Sequence, residues 1–451
     1  MSHPTGALLS GSLTTHGLCV IGNRQYIKSL KSCVTPKISH HPQEESHTIV
    51  IWANIHNPNP RRRNAVSIQR TTKSANYSDD QADMAAYLRA GEAKAQALGN
   101  RGPVRYDGNG ALHGDILEAY WRCGFYIFEG VLGGQELTEI EADIAAIRDR
   151  LPTTKGSPLD ANGRPALGAD CQAPTLFWSK PLGDPFGGTD LANGRHPVKM
   201  LEPTPAQDSP EDIVYLILGS LQFSEACLRA YGHPVLLAIC AGVNGADFVP
   251  FSDAIFIKEP GLGASVAWHQ DGVTHWDSAD WDQGSHGFNI MAQVYGCTPA
   301  NGVWVVPGSH KLGKVDIKAM AAAAGSERLP DAVPMICAPG DVAIANRQAL
   351  HGSFANTSPD WRVTLNFGCH RRASVLGVEG GGLHNAVAVY DADRIRQRAR
   401  LIAYAIDARR QHFPHETPFV YQPFAQAGDS FPWDEAARQS LHDYNLLDLS
   451  I

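Results

Sequence analysis

Hydrophobic positions recur with a helical period in the part of the chain before residue 245. Apolar side chains at positions 137, 140, 144, 147 and 151 follow each other at steps of three and four. Such spacing places one apolar stripe on a helix, and a similar but weaker pattern runs from Met84 to Ala95. Between the two, Gly124 to Phe128 is predicted to form a short strand.

A further helix is predicted to begin after Ser209. A Ser cap, Pro210 in the first turn and the acids Glu211 and Asp212 are typical of a helix start, and the apolar positions continue to Leu221. The tail after Asp391 also has a helical pattern.

Between Asp247 and Ser374 the pattern changes to short runs of branched and aromatic residues separated by turn clusters. These runs predict strands at 254–257, 288–295, 303–306, 342–345 and 363–367. Several strands with irregular connections and few helices between them predict an antiparallel sandwich or jelly roll. The fold class is therefore mainly β with flanking helices.

The first eighty residues have a different composition. Glu44 and Glu45 are the only acids before Asp79, while nine Lys and Arg residues supply positive charge, and no long apolar period is present. We interpret residues 1–80 as a poorly ordered basic extension and residues 81–451 as a single domain with its β core at about 245–375. Such a leader resembles a transit peptide but lacks an amphipathic Arg-rich helix, and an upstream mis-start would look the same.

Whole-chain composition excludes several classes of protein. The chain has 451 residues, 43% of them hydrophobic, and a net charge of -8, so neither nucleic acid nor a membrane is an expected partner. Nine scattered cysteines without a CxxC spacing argue against a disulfide framework or a zinc knot, and favour a reducing, cytoplasmic location. Oligomeric state is not readable from these data.

Candidate chemistry begins with the spacing His-x-Asp, because two residues separated by one in a strand point the same way and can reach one metal ion. Three such pairs occur, at His113-Asp115, His269-Asp271 and His275-Asp277. Only the second follows a strand-like approach within the β-rich zone, which favours His269 and Asp271.

A ferrous ion that must also hold a bidentate organic acid and dioxygen needs three protein ligands on one face. His351, after the run from Gly340 to Leu350, fits as the third ligand from a distant strand. Arg362 follows eleven residues later, with Thr364 at the same side-chain parity. If the two segments pair as a hairpin, the Arg362 guanidinium reaches the space beside His351, where its fork suits a carboxylate.

These residues resemble the phytanoyl-CoA dioxygenase (PhyH) family of Fe(II)- and 2-oxoglutarate-dependent oxygenases. The resemblance rests on the segments Trp268 to Gly272, Asn301 to Lys311, Gly340-Asp341 and His351 to Ser353, and on Arg362 at its offset from the last histidine. It implies a double-stranded β-helix, iron(II) held by His269, Asp271 and His351, and a 2-oxoglutarate carboxylate held by Arg362 with Ser353 or Thr364.

The implied reaction consumes O2, decarboxylates 2-oxoglutarate to succinate and CO2, and oxidises an unactivated C–H bond of a small or medium-sized organic metabolite. Related halogenases have a small residue in place of the carboxylate ligand, so Asp271 favours hydroxylation. His275, Trp276, Phe288 and Lys258 are candidate substrate residues. Two alternatives stay open: a non-catalytic barrel that binds a metal or small acid as a sensor or scaffold, and a cupin-type metalloenzyme without 2-oxoglutarate, which should not need Arg362.

Overall fold

The computed structural model describes residues 75–271, 287–381 and 386–449, all within the unit Gln69–Ile451. Most of the predicted N-terminal extension lies outside the described residues. The strands are β1 (Arg101–Gly102), β2 (Phe125–Phe128), β3 (Leu176–Ser179), β4 (Ile213–Leu218), β5 (Val249–Lys258), β6 (Val266–His269), β7 (Gly287–Gln293), β8 (Trp304–Val305), β9 (Val333–Pro334), β10 (Val342–Asn346), β11 (His351–Ser353), β12 (Arg362–His370), β13 (Glu379–Gly380) and β14 (Ala388–Val389). The helices are α1 (Gln81–Ala97), α2 (Gly114–Cys123), α3 (Gly134–Asp149), α4 (Glu225–Tyr231), α5 (Pro234–Asn244), α6 (Ile317–Ala324), α7 (Arg372–Val375), α8 (Ala392–His412), α9 (Gln422–Ala425) and α10 (Glu435–Gln439).

Two sheets contain twelve of these strands, and β13 pairs with β14 in a separate two-stranded sheet. The larger has the order β1-β2-β10-β7-β12-β5-β4-β3 and the smaller the order β6-β11-β8-β9. Apart from the parallel pair β1 and β2, neighbouring strands in both sheets run antiparallel.

From β5 to β12 the chain passes repeatedly from one sheet to the other. This alternation brings β6 and β11 together as neighbours in the smaller sheet, although they are far apart in sequence. His269 and His351 are direct cross-strand partners in that pair. The topology thus places two segments with candidate ligands side by side.

Helices cover the larger sheet through one extended hydrophobic core. Ile144 of α3, Leu228 of α4, Ile239 of α5 and Ile402 of α8 belong to the same buried cluster as Ile255 of β5. A second cluster joins α1 to the smaller sheet, where the ring of Tyr87 stacks on that of Trp304 at 4.6 Å between centroids. The prediction of mainly β structure with flanking helices is confirmed.

The α-helix expected from Ser209 to Leu221 is wrong, because residues 209–212 are not helical and a strand follows them. Residues Ile213–Leu218 form β4, which lies between β3 and β5 in the larger sheet. All six residues are buried, so both faces of the strand are covered. A continuous apolar run of this length fits a buried strand as well as a helix, and here pairing on both sides decides.

The expected hairpin between the His351 and Arg362 segments is also wrong. β11 pairs with β6 and β8 in the smaller sheet, whereas β12 pairs with β5 and β7 in the larger one. Arg362 is therefore the cross-strand partner of Lys258. Its approach to the site comes from the opposite sheet.

Among the helices described, none alone is long and apolar enough to cross a membrane. The pair Glu225–Tyr231 and Pro234–Asn244, bent by 42°, passes the length and composition test only when taken together.

Candidate metal and cosubstrate site

The three predicted metal ligands lie together at the end of the β6–β11 pair. His269 is the last residue of β6, Asp271 follows two residues later, and His351 opens β11. One ligand atom from each lies within 4.8 Å of the others. The sequence-predicted trio is thus brought into one cluster.

Hydrogen bonds orient both imidazole rings. Nδ1 of His269 lies 2.8 Å from the carbonyl oxygen of Ala267, and Nδ1 of His351 lies 2.9 Å from that of Ala349. Because a carbonyl oxygen can only accept, each Nδ1 carries the proton and each Nε2 keeps a free lone pair. The Nε2 atoms lie 3.7 and 3.8 Å from the two carboxylate oxygens of Asp271. A hydrogen bond from Nδ1 to a backbone carbonyl oxygen is common for histidines that bind a metal through Nε2.

Gln270, between the two ligands, fastens the motif to the protein. Its amide donates to the carbonyl oxygens of Gly313 and Gln348 at 3.0 and 2.7 Å, and its Oε1 accepts from the backbone N–H of Val315 at 3.0 Å. Since neighbouring side chains of an extended segment point to opposite sides, these bonds hold His269 and Asp271 towards the site.

Asp271 is a buried carboxylate surrounded by donors. Nη1 of Arg195 is 3.2 Å from Oδ1, Nε of Arg347 is 3.8 Å from Oδ2, and Nδ2 of Asn289 donates to Oδ2 at 3.1 Å. Burial opposes ionisation, but the two guanidinium groups outweigh it and hold the pKa of Asp271 well below its ordinary value. The carboxylate is therefore ionised, as a metal ligand must be.

Burial also keeps the imidazoles of His269 and His196 neutral. It lowers the pKa of His269 well below its ordinary value, with further lowering by His351 and His196. His196 packs its ring against His269 at 4.2 Å between centroids, and burial lowers its own pKa to about 3. A neutral imidazole with a free Nε2 is the form that binds a metal.

Two buried cations are linked to the strand that carries His351. Arg362 and Lys258 face each other across β12 and β5, and both side chains are nearly inaccessible to solvent. Lys258 donates to Oγ of Ser353 at 2.9 Å and to the carbonyl oxygen of Phe354. Arg362 donates from Nε to Oγ1 of Thr364 at 2.9 Å.

Neither cation has an acidic partner in the described ranges. Arg362 and Lys258 form no ion pair with any carboxylate of residues 75–271, 287–381 and 386–449. Burial, followed by the charge of Arg362, lowers the pKa of Lys258 well below its ordinary value, and burial lowers that of Arg362. A buried charge without a counter-ion is costly, so the pair suits an anionic ligand.

The remaining predicted residues have different positions. Ser353 and Thr364 are both in the cation cluster, where Thr364 also donates to Oε1 of Gln293 at 2.8 Å. Phe288 is fully buried in the main hydrophobic core, next to Tyr120. His275 and Trp276 lie outside the described residues.

Sequence reasoning missed three residues that contact Asp271, namely Arg195, Asn289 and Arg347. Arg347 lies within the run that precedes His351, but the spacing argument gives it no role, and Arg195 comes from the long connection between β3 and β4. The alternation of side chains along β7 could have identified Asn289, because residues 289, 291 and 293 point to the same side of the strand. Lys258, predicted as a substrate residue, bonds Ser353, and its role in substrate binding stays a prediction.

Chemically, the donor set fits a divalent iron. Two imidazole nitrogens and one carboxylate supply three ligands and leave room for others. The cation pair Arg362 and Lys258 fits a carboxylate at the far end of a second, metal-bound ligand.

Solved structures with some similarity to the chain include EvdMO1, EctD and SnoN. EvdMO1 is 21% identical, with 56% of this chain and 48% of that chain covered and a TM-score of 0.37, so the alignment spans about half the length of EvdMO1. EctD from S. alaskensis with 2-oxoglutarate and 5-hydroxyectoine is 18% identical, with 60% and 81% covered and a TM-score of 0.41. The α-ketoglutarate-dependent epimerase SnoN from nogalamycin biosynthesis is 16% identical, with 56% and 80% covered and a TM-score of 0.36. TM-scores this low do not establish a shared fold.

A family model gives the decisive comparison. No curated protein matches the chain significantly. Residues 205–364 match the model described as phytanoyl-CoA dioxygenase (PhyH), and this range includes all three candidate ligands, Ser353, Arg362 and Thr364. The resemblance drawn from the sequence motifs is confirmed: residues 205–364 carry a domain that matches the phytanoyl-CoA dioxygenase (PhyH) family.

Proposed function

We propose that the protein is an Fe(II)- and 2-oxoglutarate-dependent dioxygenase that hydroxylates, or otherwise oxidises by C–H abstraction, a small or medium-sized organic metabolite. His269, Asp271 and His351 hold the iron. Arg362, Lys258, Ser353 and Thr364 form the pocket for the distal carboxylate of 2-oxoglutarate. The core around them is a double-stranded β-helix, consistent with the alternation of β5 to β12 between two sheets.

One observation carries the proposal: a buried pair of cations without acidic partners in the described ranges bonds, through Lys258, to Ser353 on the strand that also carries His351 of the two-histidine, one-carboxylate cluster. A metal site alone explains the cluster but leaves the cations unexplained. A cosubstrate that binds metal at one end and carries a carboxylate at the other explains both.

When bound, iron and 2-oxoglutarate together supply the activation of dioxygen and the oxidant for the C–H bond. The chain contributes orientation and exclusion of water. The carbonyl oxygens of Ala267 and Ala349 fix the imidazole planes, and the amide of Asn289 holds one carboxylate oxygen of Asp271. Arg362, with Nε committed to Thr364, has its terminal nitrogens left to donate in parallel to a carboxylate.

Single-turnover chemistry tests the proposal without knowledge of the substrate. The purified protein receives Fe(II) and 2-oxoglutarate without oxygen, and the charge-transfer absorbance of the ternary complex is recorded before oxygen is admitted and succinate is measured. We expect the absorbance and slow, oxygen-dependent succinate release. Absence of both from a protein that still binds iron would favour the cupin-type or non-catalytic alternatives.

Two histidine variants sharpen the test. His351→Ala removes one of three ligands and should abolish both signals, whereas His415→Ala changes an exposed histidine and should preserve them. Full signals in His351→Ala would contradict the assignment of the metal ligands.

A further inference from the structure

The proposed metal site carries a guanidinium group that neither iron nor 2-oxoglutarate requires. Nη1 of Arg195 lies 3.2 Å from Oδ1 of Asp271, and the same oxygen is 3.7 Å from Nε2 of His269. The contact therefore uses the carboxylate oxygen that faces the ligand cluster. A metal bound by Asp271 would compete with Arg195 for this oxygen.

Among the residues that the structure describes, the charges around Asp271 do not balance. The Asp271 carboxylate faces the Arg195 guanidinium, and the proposed iron adds two further positive charges. The metal-binding end of 2-oxoglutarate brings one negative charge, and its distal carboxylate lies with Arg362 and Lys258. Positive charge thus remains in excess, and a second anion would neutralise it.

Arg195 is placed so that it can meet a ligand from solvent. Its side chain is 23% exposed, while its Nε is buried and has no hydrogen-bond partner in the parts of the chain that the structure describes. Asn289 likewise has its Oδ1 buried and without a partner there. The guanidinium therefore has donor capacity left beyond its contact with Asp271.

The loop that carries Arg195 is anchored on both sides of this residue. The carbonyl oxygen of His196 accepts from the backbone N–H of Gly188 at 2.8 Å, and its ring stacks on Phe186 at 5.0 Å. Ala192 and Asn193 have left-handed φ angles of 52° and 59°. The backbone bond and the stacked ring of His196 anchor the backbone next to Arg195.

We propose that Arg195 binds a carboxylate of the organic substrate, so that the enzyme acts on an organic acid. This assignment rests on the proposed function, because it takes the iron and 2-oxoglutarate sites as given. Arg195 leaves Asp271 when metal binds there, and its fork then pairs with the substrate carboxylate at the edge of the metal site. Arg195 sets specificity and does not take part in the oxidation itself.

Matched acids and amides test this assignment. Acetate and hexanoate are titrated calorimetrically, without oxygen, into protein that holds Fe(II) and saturating 2-oxoglutarate, and acetamide and hexanamide serve as neutral counterparts. We expect the acids to bind at least tenfold more tightly than the amides. Arg195→Gln should remove that preference, and Arg195→Lys should restore part of it. Lys199→Ala, which removes a 56% exposed cation from the same loop, should leave it unchanged.

The possible outcomes separate this inference from the proposed function. Equal responses to acids and amides, including no response to either, would overturn it, as would an acid preference that survives in Arg195→Gln. Failure of the proposed function would instead appear earlier, as the absence of the iron–2-oxoglutarate absorbance in the unmodified protein. If the protein does not hold 2-oxoglutarate, the acids would bind at Arg362 instead. This binding would persist in Arg195→Gln and would therefore count against the role of Arg195. Thermal unfolding of each variant checks that the loop substitutions leave the fold intact.

Discussion

Two fully buried arginines in this protein have opposite surroundings and should respond oppositely to the same substitution. Arg398 donates to Asp448 at 2.8 Å and to Asp253 at 3.0 Å. Arg362 has Lys258 as its cross-strand neighbour and no acid in contact within the described ranges. Burial lowers the pKa of Arg362, while for Arg398 its acidic neighbours, Asp448 first, outweigh burial and raise it.

Replacement by Met removes the charge and keeps most of the volume. In Arg398→Met two buried carboxylates lose their counter-ion, so we expect a loss of about 3–5 kcal/mol in the free energy of unfolding. In Arg362→Met no carboxylate is orphaned. The lost hydrogen bond to Thr364 costs about 1 kcal/mol, and relief from an unpaired buried charge offsets it, so the metal-free protein should be unchanged within about 1 kcal/mol or slightly more stable.

Binding of 2-oxoglutarate should show the reverse order. Truncation of one partner of a buried charge pair costs about 2–5 kcal/mol, which corresponds to about a 30-fold to several-thousandfold weaker Kd for Arg362→Met. Arg398→Met does not touch the pocket, so the fraction that folds should bind normally. Urea unfolding followed by tryptophan fluorescence measures the first quantity, and anaerobic calorimetry with Fe(II) and 2-oxoglutarate measures the second.

A large loss of stability in metal-free Arg362→Met would refute this reasoning, because it would show that Arg362 has a structural counter-ion. Unchanged 2-oxoglutarate affinity in that variant would refute the assignment of the pocket, and would leave the cupin-type alternative in place.

Other substitutions probe the ligands and the pH dependence. His351→Ala should weaken iron binding by at least tenfold, since two ligands remain, and equilibrium dialysis measures it; unchanged affinity would contradict the ligand set. Glu139 bonds Arg229 and His412, and these bonds with that from Gln135 outweigh burial and lower its pKa to about 2. Its ionised form therefore stabilises the fold fully above about pH 4.5, and this contribution fades as the pH falls towards 2. Glu139→Gln should cost about 0.5–1 kcal/mol at pH 7, with the difference from the unmodified protein shrinking below pH 4.5 in urea unfolding. A constant difference from pH 7 to pH 3 would exclude this linkage.

The metal cluster could be predicted from the sequence because two of its ligands have a fixed local spacing and the motifs follow in a fixed order along the chain. The alternation of a strand places His269 and Asp271 on one side, and the family motifs give the order in which His351 and Arg362 follow. The strands expected at 254–257, 288–295, 342–345 and 363–367 correspond to β5, β7, β10 and β12. Each has turn residues at its ends and branched residues within it, so local preference and tertiary structure agree.

Where local preference and tertiary pairing disagree, the sequence misleads. Residues 209–212 carry every sign of a helix start, but the six apolar residues of β4 that follow are buried on both faces between two strands. The prediction of a hairpin was wrong for a related reason, because β11 and β12 are adjacent in sequence but belong to different sheets. Residue spacing within a segment determines neither the strand conformation of β4 nor the placement of β11 and β12 in different sheets.

Arg195 and the role of Lys258 depend on contacts between elements that are distant in sequence. Arg195 comes from the β3–β4 connection, and Lys258 meets Ser353 only because β5 and β11 lie on facing sheets. A lone arginine in a polar loop, like a lysine at a strand end, most often marks a solvated surface. No pattern in the chain distinguishes these two residues from the exposed majority.

The partners of each buried arginine show whether the arginine has a structural role or a ligand-binding role. Arg398 has Asp253 and Asp448, and Arg409 has Glu136 and Glu416, so the chain itself neutralises both charges. Among the described residues Arg362 has no such partner, and Arg195 shares one carboxylate that a metal would claim. An uncompensated buried charge lowers stability, so this excess of positive charge suits anions that arrive from outside. Under the proposed function one cosubstrate supplies the anion at Arg362, and we assign the anion at Arg195 to the substrate.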